Sequence, residues 1–225
     1  MLTGFQSKSV IRFLIRPVLI NLSHSWLGSP LPYLNKSQKP HIYTPMERFT
    51  GRPTYNEEIS EAEKDTYDFL DRHNIAYETL CHEAAFTMEE CAEVEKVLGA
   101  PLCKNLFLCN RQQTQFYLLM MPGEKVFKTK FLSAELGCAR LSFAGEELMT
   151  DLLHIHPGAV SPMGLIHDKQ AKVLLVVDEE LLTSEHFGCH PCVNTASLKL
   201  SLKDLLDKVV PASGHEYRVI HLRTE

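Results

Sequence analysis

Leu102-Cys103-Lys104-Asn105-Leu106-Phe107-Leu108-Cys109, then the turn Asn110-Arg111-Gln112-Gln113, then Gln115 to Met121: this stretch decides the fold class. Two apolar, β-compatible runs flank a short polar turn, and Pro122-Gly123 closes the second run, which is the signature of a β-hairpin. A local hairpin does not fit a plain alternation of strands and crossover helices. The expectation is therefore an α/β (α+β) domain built on one mixed, twisted sheet or partly closed barrel flanked by helices.

Working outward, residues 57–73 have helical spacing, with Ile59, Ala62, Tyr67, Phe69 and Leu70 on the buried side and Asn74 as the stop. Residues 75–80 read as a strand. Thr87-Met88-Glu89-Glu90 fits a capping box that opens a helix over 88–98, ended by Gly99 and Pro101. Helices are predicted over 129–136, with Gly137 at the C-cap, and over 145–153. Residues 156–164 hold too much Gly and Pro for regular structure and form a shaped loop. Lys172–Asp178 (KVLLVVD) is the strongest buried-strand signal. A strand over 194–200, a helix capped by Ser201, and a strand over 217–222 complete the chain.

The 225 residues are 44% hydrophobic and 23% charged, ordinary for a globular protein with a sizeable core. No apolar run reaches the roughly 18–20 residues needed to span a bilayer, so no membrane partner is expected. The first 46 residues carry Lys8, Arg12, Arg16, Lys36 and Lys39, many Ser and Pro, and no acid. Three readings stay open for residues 1–54: a disordered leader on a cytoplasmic protein, an upstream extension with Met46 as the working start, or a mitochondrial transit peptide within residues 1–46. The domain proper is placed at 55–225. The chain carries −5 and the leader +5, which leaves −10 on residues 47–225. An acidic body argues against broad, sequence-independent nucleic-acid binding but not against a local basic site.

The seven cysteines are odd in number and scattered, which suits reduced thiols better than a disulfide framework. Cys189-His190-Pro191-Cys192 has no second Cys-x-x-Cys to complete a structural zinc set, so neither a metal nor a cofactor is expected. Gly-x-Ser-x-Gly, P-loop and Gly-x-Gly-x-x-Gly motifs are missing from the sequence. Three elements remain: Lys104-Asn105, the Gly158–Pro162 loop, and His190-Pro191 with Asn194. Each also has a plain reading, as a lysine snorkelling at a strand end, a turn, and a satisfied core histidine.

In order and spacing, five stretches resemble the YbaK/prolyl-tRNA synthetase-associated domain family of trans-editing aminoacyl-tRNA deacylases. They are His82-Glu83-Ala84-Ala85-Phe86-Thr87, Lys104-Asn105-Leu106-Phe107-Leu108, Arg140-Leu141-Ser142-Phe143-Ala144, Pro157 to Leu165, and His190 to Ser197. Lys-Asn-Leu-Phe-Leu and the Gly-x-x-x-Pro loop are most similar to the alanyl-tRNA(Pro) deacylase branch. His154-Ile155-His156 and Met163 depart from the usual family residues beside the pocket. The resemblance implies hydrolysis of the ester of mischarged tRNA, with Lys104 and Asn105 as catalytic residues. It implies an acyl pocket at Gly158, Ser161, Pro162, His190 and Asn194. The partners it implies are the aminoacylated tRNA acceptor end, met by Lys125, Lys128, Lys130 and Arg140, and prolyl-tRNA synthetase. Alternatives are a non-catalytic binding module of the same fold and a deacylase for Cys- or Ser-charged tRNA.

Overall fold

The computed structural model describes residues 46–54, 59–85 and 88–224. The leader reading for residues 1–45 and the Thr87 cap lie outside the described residues. Among the described residues, nine strands form two sheets. The first is antiparallel, in the order β1 (Glu47–Thr50), β2 (Tyr77–Cys81), β8 (Ala196–Ser201), β7 (His186–Cys189). The second is mixed, in the order β5 (Leu141–Phe143), β3 (Cys103–Asn110), β4 (Phe116–Pro122), β6 (Val173–Asp178), β9 (Tyr217–Ile220). The β3–β4 and β3–β5 pairs are antiparallel, and β6 joins β4 and β9 in parallel. The α+β class and the hairpin are as expected, but the sheet comes in two pieces that do not close into a barrel among the described residues.

The two sheets meet edge to edge where Leu102 bridges Gly188 and the Gly188 amide donates to the Pro101 carbonyl at 2.7 Å. Only glycine fits there. A Cβ on Gly188 would come within 2.6 Å of Leu102 Cδ2 and 3.0 Å of Leu98 Cδ2.

Helix α1 (Glu61–Arg72) is capped by Ser60, whose hydroxyl accepts from the Glu63 amide. It buries Tyr67 and Leu70 in the core between the sheets, alongside Phe107, Leu118, Leu175, Leu198 and Met163. Helix α2 (Met88–Leu98) packs Val94 and Leu98 on Leu80 of β2. Helix α3 (Thr129–Leu136) covers the other face of the mixed sheet with Leu132 and ends at Gly137 in the left-handed region. Leu118 to Met121 of β4 are buried on both faces, as a central strand requires. Helix α4 (Glu146–Leu153) leads into the Gly/Pro loop. The C-terminal helix runs through short turns at Leu202–Asp204 and Val210–Ala212 on either side of a π-helical turn at Leu205–Val209.

One boundary is corrected. Residues 47–50, read as leader, form β1 and hydrogen-bond to β2, and the Gly51 carbonyl accepts from the Thr79 hydroxyl at 2.8 Å. The paired frame of the domain therefore begins before residue 55.

Candidate active site

The Gly/Pro loop is shaped by its own residues. Gly158 has φ +91°, a conformation that L side chains rarely adopt, and its Cα approaches the Asn194 amide closely enough that a Cβ would sit 3.7 Å from Nδ2. Ser161 is fully buried. Its hydroxyl donates to the His190 carbonyl at 2.5 Å and accepts from the Met163 amide at 3.2 Å, capping the 3₁₀ turn Pro162–Ile166 that Pro162 opens. The structure thus joins the 158–162 loop to the 190–196 loop, and Gly158, Ser161, Pro162, His190 and Asn194 lie together. It also corrects one expectation. The Ser161 side chain is fully buried, with its one donor and one of its two acceptor sites used inside the fold, so it serves as a staple rather than a substrate contact.

His190 is half-buried, and its Nδ1 lies 2.8 Å from the Ala196 carbonyl. A carbonyl only accepts, so Nδ1 carries the proton and Nε2 carries the lone pair. Burial lowers the pKa of this imidazole, against the opposing pull of the Ala196 carbonyl. His82 stands beside it, with ring centroids 6.4 Å apart. The same logic makes His82 Nδ1 the donor to the Glu83 carbonyl at 2.7 Å and Nε2 the acceptor from the Ser197 hydroxyl at 2.9 Å. Burial lowers its pKa as well. Two neutral imidazoles therefore line this corner. Sequence reasoning placed His82 at the head of a motif without a role; its spacing before the 103–110 hairpin was the available signal.

Strand β3 divides the two remaining residues. Lys104 pairs with Met121 and lies on the face of Leu108 and α3, whereas Asn105 pairs with Met120 and lies on the face of Phe107, toward the loops. The Lys104 ammonium is half-buried and donates to the Lys125 carbonyl at 3.0 Å. Ala159 and Cys192 of the two loops share a core cluster with Phe107, on the Asn105 side of the strand, whereas Leu108 on the Lys104 side belongs to the other cluster. Asn105 Nδ2 donates to the Cys103 carbonyl at 3.3 Å, and its buried Oδ1 has no hydrogen-bond partner among the described residues. An unmet buried acceptor is costly and invites a donor.

The basic residues also divide. Lys128, Lys130 and Arg140 are exposed and have no carboxylate partner among the described residues. Lys125 does not belong with them. Its side chain is 7% exposed, and its ammonium lies 2.7 Å from both Asp178 Oδ2 and Glu180 Oε1, the first an ion contact and the second an aligned hydrogen bond. Neutralised by two carboxylates, it offers no free charge to a polyanion.

All seven cysteines are free thiols. Burial pushes the Cys103 and Cys192 thiols up to about 12, and Cys189 further, although Ser161 opposes the rise at Cys189. Protonated thiols are poor nucleophiles and poor metal ligands. No group of three or more His, Cys, Asp or Glu side chains is arranged to hold a metal among the described residues. Nor is any described helix long and apolar enough to cross a membrane. A groove of about 710 Å³, lined by Thr114, Phe116, Leu152, Asp168 and Lys172, contains none of the residues above.

The family model of the aminoacyl-tRNA editing domain matches residues 82–208, which hold β3 to β8 and both loops of the site. The chain belongs to the aminoacyl-tRNA editing domain family. The prolyl-tRNA editing protein ProX of Acetoanaerobium sticklandii is 33% identical over 68% of this chain and 93% of its own length. The prolyl-tRNA synthetase associated domain-containing protein 1 of Danio rerio is 32% identical over 64% of this chain and 78% of its own. A crystal structure of a candidate trans-editing enzyme for prolyl tRNA synthetase superposes with a TM-score of 0.56 at 17% identity, over 73% of this chain and 99% of that one. At that identity the likeness concerns the fold. The mixed α+β arrangement is the editing-domain fold, and the loop pair 158–162 and 190–196 lies inside the matched region.

Proposed function

We propose that this editing domain hydrolyses, in trans, the ester of mischarged tRNA, with alanyl-tRNA(Pro) as the substrate. The observation that carries the reading is the Ser161–His190 staple that joins the two loops, in a chain of this family whose buried Asn105 Oδ1 has no hydrogen-bond partner among the described residues. An aminoacyl ester is already activated, so its hydrolysis needs positioning and charge stabilisation more than a nucleophilic side chain. The site is built accordingly. Its serine is committed and its thiols are protonated, which leaves water as the nucleophile, assisted by the adjacent ribose hydroxyl of the substrate itself. Asn105 orients the acyl-ester end on the loop side of β3. Lys104, on the reverse face at the mouth of the strand, exchanges its carbonyl partner for the terminal phosphate as a flexible point charge. Gly158 to Pro162 form the pocket wall, where the glycine lets the backbone approach the ester. His190 borders the acyl group with its Nε2 lone pair.

Specificity in this reading comes from size. A pocket walled by stapled backbone accepts alanine and excludes the proline ring. Prolyl-tRNA synthetase, which makes the mischarged product, is the proposed partner upstream. Cytoplasmic residence is proposed with it; a fluorescent fusion of residues 1–54 that enters mitochondria would replace that part.

The test is a deacylation panel on alanyl-, seryl-, cysteinyl- and prolyl-tRNA(Pro). Alanyl-tRNA(Pro) should be cleaved fastest and prolyl-tRNA(Pro) spared. Lys104→Ala should lower turnover of alanyl-tRNA(Pro) by about 100-fold or more, as loss of one preorganised charge does, with the thermal unfolding midpoint little changed. Unchanged turnover in that variant would sink the mechanism, and tRNA binding without cleavage of any ester would favour the non-catalytic module.

A further inference from the structure

One surface of the molecule combines an exposed aromatic ring with cations that have no carboxylate partner among the described residues. Phe143, the last residue of the edge strand β5, is 58% exposed. It shares the face of Leu141, over the core that α3 covers, and meets Phe127 edge-on with ring centroids 5.9 Å apart. Phe127 opens onto α3, where the ammonium groups of Lys128 and Lys130 stand 5.7 and 4.6 Å from the Phe131 ring centroid. Arg140 is exposed immediately before β5, and the Leu141 amide donates to Ser133 of α3 at 3.1 Å, which holds strand and helix together.

Two facts make this patch more than a solvated face. The body outside residues 1–46 carries −10, yet these three cations have no carboxylate partner among the described residues. The patch also runs into the turn whose Lys125 carbonyl holds the Lys104 ammonium, on the same face of the sheet. A single exposed phenylalanine is ordinary on a protein surface; here the ring is backed by a second ring, Phe127, and stands beside three cations. Rings flanked by unneutralised cations are the arrangement that binds unpaired nucleotides, through base stacking and backbone charge.

We infer that Phe143, supported by Phe127, is a stacking platform for an unpaired base of the RNA acceptor end. Lys128, Lys130 and Arg140 hold its phosphates, and the strand is guided over the 122–128 turn to Lys104. This inference deepens the proposed function and rests on it for the identity of the RNA, but its test does not require ester cleavage.

The test measures binding of the full-length protein to an uncharged, fluorescein-labelled RNA hairpin with an unpaired CCA 3′ end, by anisotropy across a potassium chloride series. Phe143→Leu, which keeps an apolar side chain on Phe127 but removes the ring face, should weaken binding about ten-fold without changing the salt slope. Phe143→Tyr should restore it. Changing Lys128, Lys130 and Arg140 together to Gln should flatten the slope of log K against log salt by about 2. Alanyl-tRNA(Pro) cleavage by the wild type with RNA affinity unchanged in Phe143→Leu overturns the platform and leaves the hydrolase reading standing. Ring-dependent RNA binding by a wild type that cleaves no ester supports the platform and ends the hydrolase reading. A wild type that binds no RNA while a protein partner protects β5 from amide exchange overturns the platform in favour of a protein interface.

Discussion

Ser161 lies in the middle of a Gly/Pro loop, where a hydroxyl is easily taken for a substrate contact. In the fold it is fully buried between the His190 carbonyl and the Met163 amide. Ser161→Ala would leave both groups without their partner, at a cost of about 1–3 kcal/mol, read as a lowered urea midpoint. Turnover should fall because the loop loses its staple, and the decrease should be partly reversed by an osmolyte such as trimethylamine oxide that strengthens burial; a missing nucleophile would not be rescued this way. Lys125 teaches the same lesson from the other side. In sequence it sits with Lys128 and Lys130 as one more basic residue. Its charge is cancelled by Asp178 and Glu180, more than fifty positions further along the chain. Pairing at that separation leaves no local trace.

At the scale of elements, long periodic segments and the edge strand β9 were legible, and the other three edge strands, β1, β5 and β7, were not. Helix α1, the β3–β4 hairpin, α3 with its Gly137 cap, and β6 each carry enough apolar positions or a clear stop signal to be read. Strand β7 has four residues, His-Phe-Gly-Cys, including a glycine that a strand normally avoids. Strand β1 sits among Thr, Gly and Pro, and β5 has only three residues. These strands exist because a partner strand supplies their hydrogen bonds, which no property of the segment itself announces. The glycine in β7 is explained only by the packing of Leu98 and Leu102 against it. Gly188→Ala should therefore cost about 1–3 kcal/mol by overpacking the junction of the two sheets. A shift in thermal midpoint checks this, and an unshifted midpoint would mean the leucines yield freely.

At the scale of the whole molecule, three histidines among the described residues are held below their usual range. Burial is the main cause in each, and at His167 the charge of the neighbouring His154, with ring centroids 4.3 Å apart, adds to it. His167 is brought down to about 4. A histidine whose folded pKa lies below its unfolded value of about 6.5 binds fewer protons when folded, so its stabilising effect is complete above that pH and is lost as the pH falls toward the folded value. Urea midpoints should thus be level near neutrality and decline from about pH 6.5 toward pH 4. His167→Gln should make that decline shallower, and equal slopes would show that His167 is not one of the groups responsible.

By itself the sequence determined the fold class, most of the long elements, and the order of segments that marks the editing-domain family. Each of these depends on local periodicity, caps and linear spacing. Only the tertiary structure decided that β3 puts Lys104 and Asn105 on opposite faces relative to the loops, that Ser161 is internal, that Lys125 is neutralised, and that Phe143 is left open beside free cations. Those outcomes depend on which distant groups meet across the core, and burial and charge pairing are set by those meetings.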